Sequence, residues 1–339
     1  MATTTSAVEA TEEAIEEHPA GGHGQVPLTF HERYEKALAN PRLSRNVTRY
    51  QQNWRRGRDE KMTEVSFEDL RAKLKAAKTR VTDDLDTYLD QFIAAAERVG
   101  THVHTAVDAD DAVRIVRDIA EQHGVKLIAK SKSMVSEEIN LNHALADDGI
   151  TTVETDLGEW LVQLAGERPS HIVGPALHMG REDVGELFDR EFNAHVSHEN
   201  ISEQVRFARD KIRPVFFEAG IGMTGANALI AETGTVMMAT NEGNGRLSSS
   251  APPIHVVLAG IEKLIPTWED AVTQMRLLGR SGAGQRLTVY TTFITGPTPG
   301  HEQHIILVDN GRRKMRAFPE FREALHCIRC GACANVCPP

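Results

Sequence analysis

The sequence predicts an α/β fold, a mixed and mostly parallel sheet with helices on both faces. Two observations carry this. Between residues 101 and 156 strand-like and helix-like periods alternate as β-α-β-α-β, the pattern of parallel strands joined by crossover helices. From residue 228 onward the chain becomes strand- and glycine-rich, which adds further strands to that core. Composition agrees with a globular protein of one or two domains: 339 residues, 40% hydrophobic and 25% charged. No apolar run reaches the ~18 residues that a membrane span needs.

Residues 1–26, rich in Ala, Thr and Glu, are expected to form a disordered tail. Residues 27–64 read as a helical arm, in which Phe30, Tyr34 and Leu38 recur at spacing four and suggest packing on another surface. The basic residues Arg45, Arg49, Arg55, Arg56, Arg58 and Lys61 within it read as a solvated helix face. Residues 65–315 form the expected α/β body. A single helix is expected over 66–99, carried by Leu70, Leu74, Leu85, Leu89 and Phe92. Next come a strand at 101–107 and a helix at 108–124, with Asp108 as N-cap and Gly124 as stop. Strands at 125–131 and 150–156 flank a helix at 136–149. Helices follow at 158–166, 181–193 and 199–212, with HIVG (171–174) as a short strand. The later strands are 228–240, 253–260, 287–295 and 304–310, interrupted by a helix at 267–279. Residues 316–339 run from a helix into a cysteine cluster.

A net charge of −10 argues against nucleic acid as a partner, since phosphate binding needs a basic field. The N-terminus has neither a basic region nor an apolar core of the secretory kind, so a cytoplasmic location is expected.

All four cysteines fall at the end of the sequence, as Cys327-x2-Cys330-x2-Cys333-x3-Cys337-Pro338. This is the spacing of the bacterial ferredoxin run, in which three thiolates two residues apart wrap one [4Fe–4S] cubane, each on one corner. Gly331 and Ala332 are small enough for the backbone to close around it. Zinc is the competing ligand, but structural zinc sites pair their donors across a dozen or more residues. The x3 step and Pro338 direct Cys337 away from the first cubane. The four thiols are expected to converge even without metal.

In the body, Gly220-x-Gly222-x-x-Gly225 formally matches a dinucleotide loop, yet it neither closes a first βαβ unit nor opens a long helix. Turn glycines are the preferred reading. Around it lie Thr224, Asn227, Glu232, Asn241, Glu242, Asn244 and Arg246. The stretch 240–253 reads as a long polar loop able to present N–H groups to an anion, with Arg246 facing a carboxylate; the alternative is a solvated connection. Lys130-Ser131-Lys132-Ser133, between a strand and a helix, occupies the place where open α/β sheets bind ligands, and helix N-termini there favour anions. Glu137 and Glu138 read as first-turn dipole partners, and Glu154 and Asp156 end the next strand. No residue stands out as catalytic.

Several longer segments, AKSKSMVSEEINLN, VETDLGEWLVQLAGERPSHIVGPALH, TGANALIAETGTVMMATNEGNGRL and CIRCGACANVCP, resemble the lactate-utilization protein B family. The resemblance spans about residues 28–339. It implies a lactate-utilization (LUD) domain of the ribose-5-phosphate isomerase/CoA-transferase-like kind, followed by ferredoxin-like [4Fe–4S] clusters. It also implies a cytoplasmic complex of several subunits that oxidises L-lactate to pyruvate, with electron donor and acceptor proteins. Family members continue to a second cysteine run, so the chain reads as truncated after the first. Two other functions remain open at this point: an isomerase or CoA-transferase-like enzyme using Glu232 or Glu242, and a scaffold that only binds partner subunits.

Overall fold

The computed structural model describes residues 29–337; the expected tail at 1–26 lies outside them. The arm is two helices, α1 (Phe30–Ala39) and α2 (Pro41–Met62). Pro41 cannot continue a helix but suits its first turn, and Asn40 caps the new start by accepting from Arg42 and Leu43 N–H. Helix α1 buries none of its residues, leaving Phe30, Tyr34 and Leu38 exposed, whereas α2 docks through Trp54, whose indole N–H donates to the Ser281 carbonyl at 3.1 Å. Arg45, Arg49, Arg55 and Arg56 are exposed, as a solvated face requires, whereas Arg58 and Lys61 are half-buried, Arg58 lying over the Trp54 and Phe67 rings. The expected single helix over 66–99 is also two, α3 (Phe67–Asp83) and α4 (Leu85–Arg98), broken at the non-helical Asp84.

The core sheet comes next. Strand β1 (His102–Ala106) leads into α5 (Ala109–Gln122), capped by Asp108 accepting from Asp111 N–H at 2.9 Å. Then follow β2 (Leu127–Lys130), the short helices α6 (Met134–Glu138) and α7 (Leu141–Ala146), β3 (Thr151–Glu154) and α8 (Leu157–Leu164). Residues 171–174 are irregular rather than a strand. Beyond α9 (Arg181–Phe192) and α10 (Ile201–Glu218), Ile221–Thr224 forms β4. Of the glycine motif, Gly222 therefore lies within a strand, while Gly220 sits in a bend before it and Gly225 just after it. A Cβ on Gly222 would lie 1.7 Å from the Ser248 carbonyl oxygen, so that glycine admits a helix backbone against the sheet.

The 228–240 run folds back on itself as a hairpin, β5 (Ala228–Ile230) and β6 (Thr235–Thr240), because Gly234 takes φ +66 at the turn. The expected polar loop at 240–253 contains α11 (Asn244–Ser250). The remaining elements are β7 (Ile254–Gly260), β8 (Leu264–Ile265), α12 (Trp268–Ala283), β9 (Tyr290–Ile294), β10 (Glu302–Val308), α13 (Arg312–Ala317) and α14 (Pro319–Arg322).

The strands form two sheets instead of one mixed sheet. Six make an all-parallel sheet in the order β1-β10-β7-β4-β2-β3. Four make a smaller one, β8-β5-β6-β9, with both parallel and antiparallel pairs. Alternation of side chains along the parallel strands feeds two faces. Ile254, Val256 and Leu258 of β7, with Ile306 of β10, meet α5 and α7 on one side. On the other, Val257, Ala259, Ile305 and Leu307 meet α4 and the small sheet, while Leu127, Ala129 and Val153 meet α8, α9 and α10. Burial on both faces explains why β7 reads as an unbroken apolar run.

Candidate functional site at the carboxyl edge

All six core strands point the same way, so their carboxyl ends share one edge, the usual ligand edge of such sheets. Lys130 ends β2 and is wholly buried. Its Nζ donates to Glu154 Oε1, at the end of β3, at 2.5 Å and lies 3.6 Å from Glu137 on α6. Burial alone would lower the Lys130 pKa, but the charges of Glu154 and Glu137 outweigh it and raise it. Asn142 also donates to Glu154, at 2.9 Å, and Gln163 accepts from the Glu154 N–H at 3.0 Å. Next to this pair, Lys132 Nζ lies 3.4 Å from Glu159 on α8. Glu159 is 4% exposed, and burial, followed by the charge of Glu154, pushes its pKa up to about 7. Asp156 caps α8 by accepting from Glu159 N–H at 3.1 Å.

The other residues singled out by sequence scatter. Thr224 is buried and bonds the His255 ring at 2.9 Å; burial drives that histidine's pKa down to about 3. Asn227 holds the hairpin by accepting from Ala239 N–H, and Asn241 accepts from Val289 N–H. Glu232 accepts from Trp268 N–H, at the start of α12, at 2.7 Å. Glu242 is nearer: burial and then the charge of Asp156 raise its pKa, with Lys132 opposing. Asn244 is buried on α11, and Arg246 on the same helix is exposed with its guanidinium 5.2 Å from the Tyr290 ring centroid. Of the polar candidates, Lys130 and Glu242 therefore belong to the edge cluster. Lys132, which the sequence places in the same strand-to-helix segment, and Glu159 complete it; Glu159 carries no sequence signal beyond its place in a helix's first turn.

The cysteine loop docks beside this edge. A buried ionic network ties it down. Arg312 donates to both Glu138 oxygens at 2.9 Å and also pairs with Glu262; Arg329, between Cys327 and Cys330, donates to Glu138 at 3.1 Å. Burial opposes ionisation of Glu138, but its bonds from Arg312 and Asn310 prevail and bring its pKa to about 2. Glu137 and Glu138 thus serve Lys130 and the two arginines, a stronger role than dipole partners. On its other sides the loop meets Gly282 of α12, where a Cβ would lie 3.1 Å from the Cys330 carbonyl, and Val173, 3.1 Å from a Cβ on Gly331. Asn335 bonds the Tyr50 hydroxyl of α2.

The loop suits an iron–sulfur cluster in its donors and backbone. Arg329 and Gly331 take φ +57 and +76, turns that wrap a chain around a centre. Arg329 N–H donates to Cys327 Sγ at 3.4 Å. Burial raises the Cys330 thiol pKa, and the backbone N–H of Ala332 works against that, as N–H groups do when they stabilise sulfur charge. The expected convergence of thiols is not met. Among the described residues no group of three or more His, Cys, Asp or Glu stands at metal-holding spacing. Four thiols have no mutual attraction without a metal, and metal binding is what gathers them.

The LUD domain family model matches residues 89–316, which hold the parallel sheet and its polar carboxyl edge and end before the cysteine run. The chain belongs to the LUD-domain proteins, and within them to the lactate utilization protein B family. Lactate utilization protein B of Oceanobacillus iheyensis is 39% identical over 318 residues, covering 92% of this chain and 66% of that protein. The uncharacterized electron transport protein YkgF of Escherichia coli is 38% identical over 316 residues, covering 91% and 66%. The chain thus spans 66% of the length of these relatives. A solved structure, a DUF162 family protein from Deinococcus radiodurans, aligns over 66% of this chain and 97% of that one, with TM-score 0.37 and 13% identity. No described helix is long and apolar enough to cross a membrane.

Proposed function

We propose that the chain is the iron–sulfur electron-transfer subunit of a complex that oxidises L-lactate to pyruvate. The observation that carries this reading is the docking of the ferredoxin-type cysteine run beside the carboxyl edge of the LUD sheet, through Arg329 and Glu138. Cys327, Cys330 and Cys333 would hold one [4Fe–4S] cluster, with Cys337 placed for another, and such a cluster supplies reversible one-electron transfer. The chain's own residues orient it. Arg312, Glu138 and Glu262 fix the loop, Gly331 lets the backbone pass His171 and Val173, and the Arg329 and Ala332 N–H groups face sulfur. Subunits of the same lactate-oxidising system are the proposed partners, with a cytoplasmic location. Glu232 is spent on the Trp268 N–H, which removes one of the two carboxylates an isomerase or CoA-transferase-like reading relied on.

The test is anaerobic isolation with iron and sulfide analysis, a visible spectrum, and L-lactate addition with and without the partner subunits. Bleaching of a brown chromophore by lactate only when partners are present is the expected result. Zinc in place of iron, or a cluster that partners and lactate leave oxidised, would defeat the reading.

A further inference from the structure

Two lysines beneath the cysteine loop have no part in the ionic network that ties it down. Lys78 of α3 is 3% exposed, and Lys263, in the turn from β7 to β8, is 6% exposed. The Lys78 ammonium donates to the Glu262 carbonyl and, at 3.2 Å, to the Leu264 carbonyl, both of them neutral acceptors. Lys263 forms no hydrogen bond or ion pair among the described residues. The carboxylate that acts on both lysines is Glu262, and Arg312 already occupies it. With Arg312 and Arg329, the face beneath the loop holds four cations against two carboxylates, Glu138 and Glu262. Buried charges are normally paired, and no carboxylate answers this positive surplus. Cys327 lies against it. Residues 323–326 pack on α3, and Lys78, Glu262 and Arg312 line one small cavity together with Leu325. Arg329 N–H donates to Cys327 Sγ at 3.4 Å. Burial lowers the pKa of both lysines, Lys78 to about 8, and charge on Cys327 is among the groups that oppose it.

We propose that Lys78 and Lys263 are the counter-charge of the group held by the cysteine run, placed to retain it and to favour its reduced state. This deepens the iron–sulfur reading above and rests on it. Thiolate ligation makes such a group an anion, and one-electron reduction adds a further negative charge. In a metal-free chain the surplus stays uncompensated; in a loaded chain it is balanced. Both lysines are positioning residues that act through charge. Their signature is a reversal of sign. A lysine kept for packing or for its carbonyl bonds stabilises the chain with or without a bound group. A counter-charge stabilises only the loaded chain, because a buried charge without its partner is a cost.

The experiment compares wild type, Lys263→Met, Lys263→Arg and Lys78→Met as full chains, metal-free and after anaerobic reconstitution with iron and sulfide. In mediated spectroelectrochemistry each Met variant should take its electron from the electrode about tenfold less readily, a midpoint lower by about 59 mV, the effect of one charge roughly 10 Å away in a protein interior. Iron loss to a chelator should be about tenfold faster in the same variants. Metal-free Lys263→Met should unfold at a higher urea concentration than metal-free wild type, and Lys263→Arg should match wild type throughout. If Lys78→Met, which also loses two carbonyl bonds, does not fold, Lys263 decides. A wild-type potential in Lys263→Met, equal shifts in its Met and Arg variants, or a metal-free Lys263→Met less stable than wild type would overturn the proposal. If the chain takes up zinc and no iron, the iron–sulfur reading falls and the counter-charge is read from zinc affinity. An affinity about tenfold weaker in Lys263→Met then supports it, and an unchanged one overturns it. A chain that binds neither metal overturns both.

Discussion

From Leu70 to Val308 the chain contributes four apolar clusters, and the strands of the parallel sheet are buried on both faces. From Arg312 to Cys337, Leu325 is the one apolar side chain buried among the described residues. That segment is held by charge: Arg312 and Arg329 on Glu138, Arg312 on Glu262, Arg316 on the Thr82 and Asp83 carbonyls. Apolar burial is non-directional and stabilises the body through many small contributions. Ion pairs are directional and few: they fix where the cysteine run lies, and a buried pair adds little net stability although removing one partner is costly because a charge is left uncompensated. The body and the loop should therefore fail separately.

The largest effect expected belongs to the body. Phe92→Ala empties a site with no exposure, between α4 and the parallel sheet, and should cost about 3–5 kcal/mol in urea unfolding. Arg312→Met removes the main partner of Glu262 and leaves Glu138 with Asn310 and Arg329 alone, and it should cost about 3 kcal/mol while also speeding alkylation of Cys330. Faster alkylation without loss of stability would show that this network belongs to the loop alone.

The pH response comes third. Glu159 is raised from its ordinary value to about 7, so the folded state holds its proton over a range where the unfolded state has released it. Its contribution is complete below about pH 4.5 and is lost as pH rises through 7, on the order of 3 kcal/mol in all. Glu159→Gln should flatten that fall, and equal slopes for variant and wild type between pH 5 and 8 would refute the assignment. The smallest change should come from replacing Cys327, Cys330 and Cys333 together by Ser. The chromophore of the proposed cluster should disappear, while far-UV dichroism is kept and unfolding moves by less than about 1 kcal/mol. Global unfolding of that variant would erase the distinction between body and loop.

Much of this was legible in the sequence where local signals and tertiary packing agree. Asp108 and Gly124 bracket α5 closely, and the apolar runs of β2, β7 and β10 mark strands buried on both faces. Legibility ends where tertiary contact decides. Nothing in Thr82-Asp83-Asp84-Leu85 carries the Pro or Gly of a helix break, yet the chain turns at Asp84 so that α4 can pack on the sheet. Asn244–Ser250 has the composition of a loop and becomes a helix because Gly222 lets it lie on β4. The cysteine spacing is fully local and needs no fold to be seen. The pairing of Lys132 with Glu159 joins two segments through the ends of neighbouring strands, which no local pattern reveals.

The strand order has a consequence for the order of events during synthesis. Strand β10 inserts between β1 and β7, which are parallel to it on either side and do not pair with each other. Until residues 302–308 leave the ribosome, β1 has no partner and β7 presents a row of unsatisfied N–H and C=O groups. The nascent chain therefore waits on nearly its whole length before the sheet can close, and the cysteine run emerges only after that strand. Iron delivery would thus meet an already completed docking face, and a chain halted before Glu302 should aggregate through its open edges rather than accumulate as a folded intermediate.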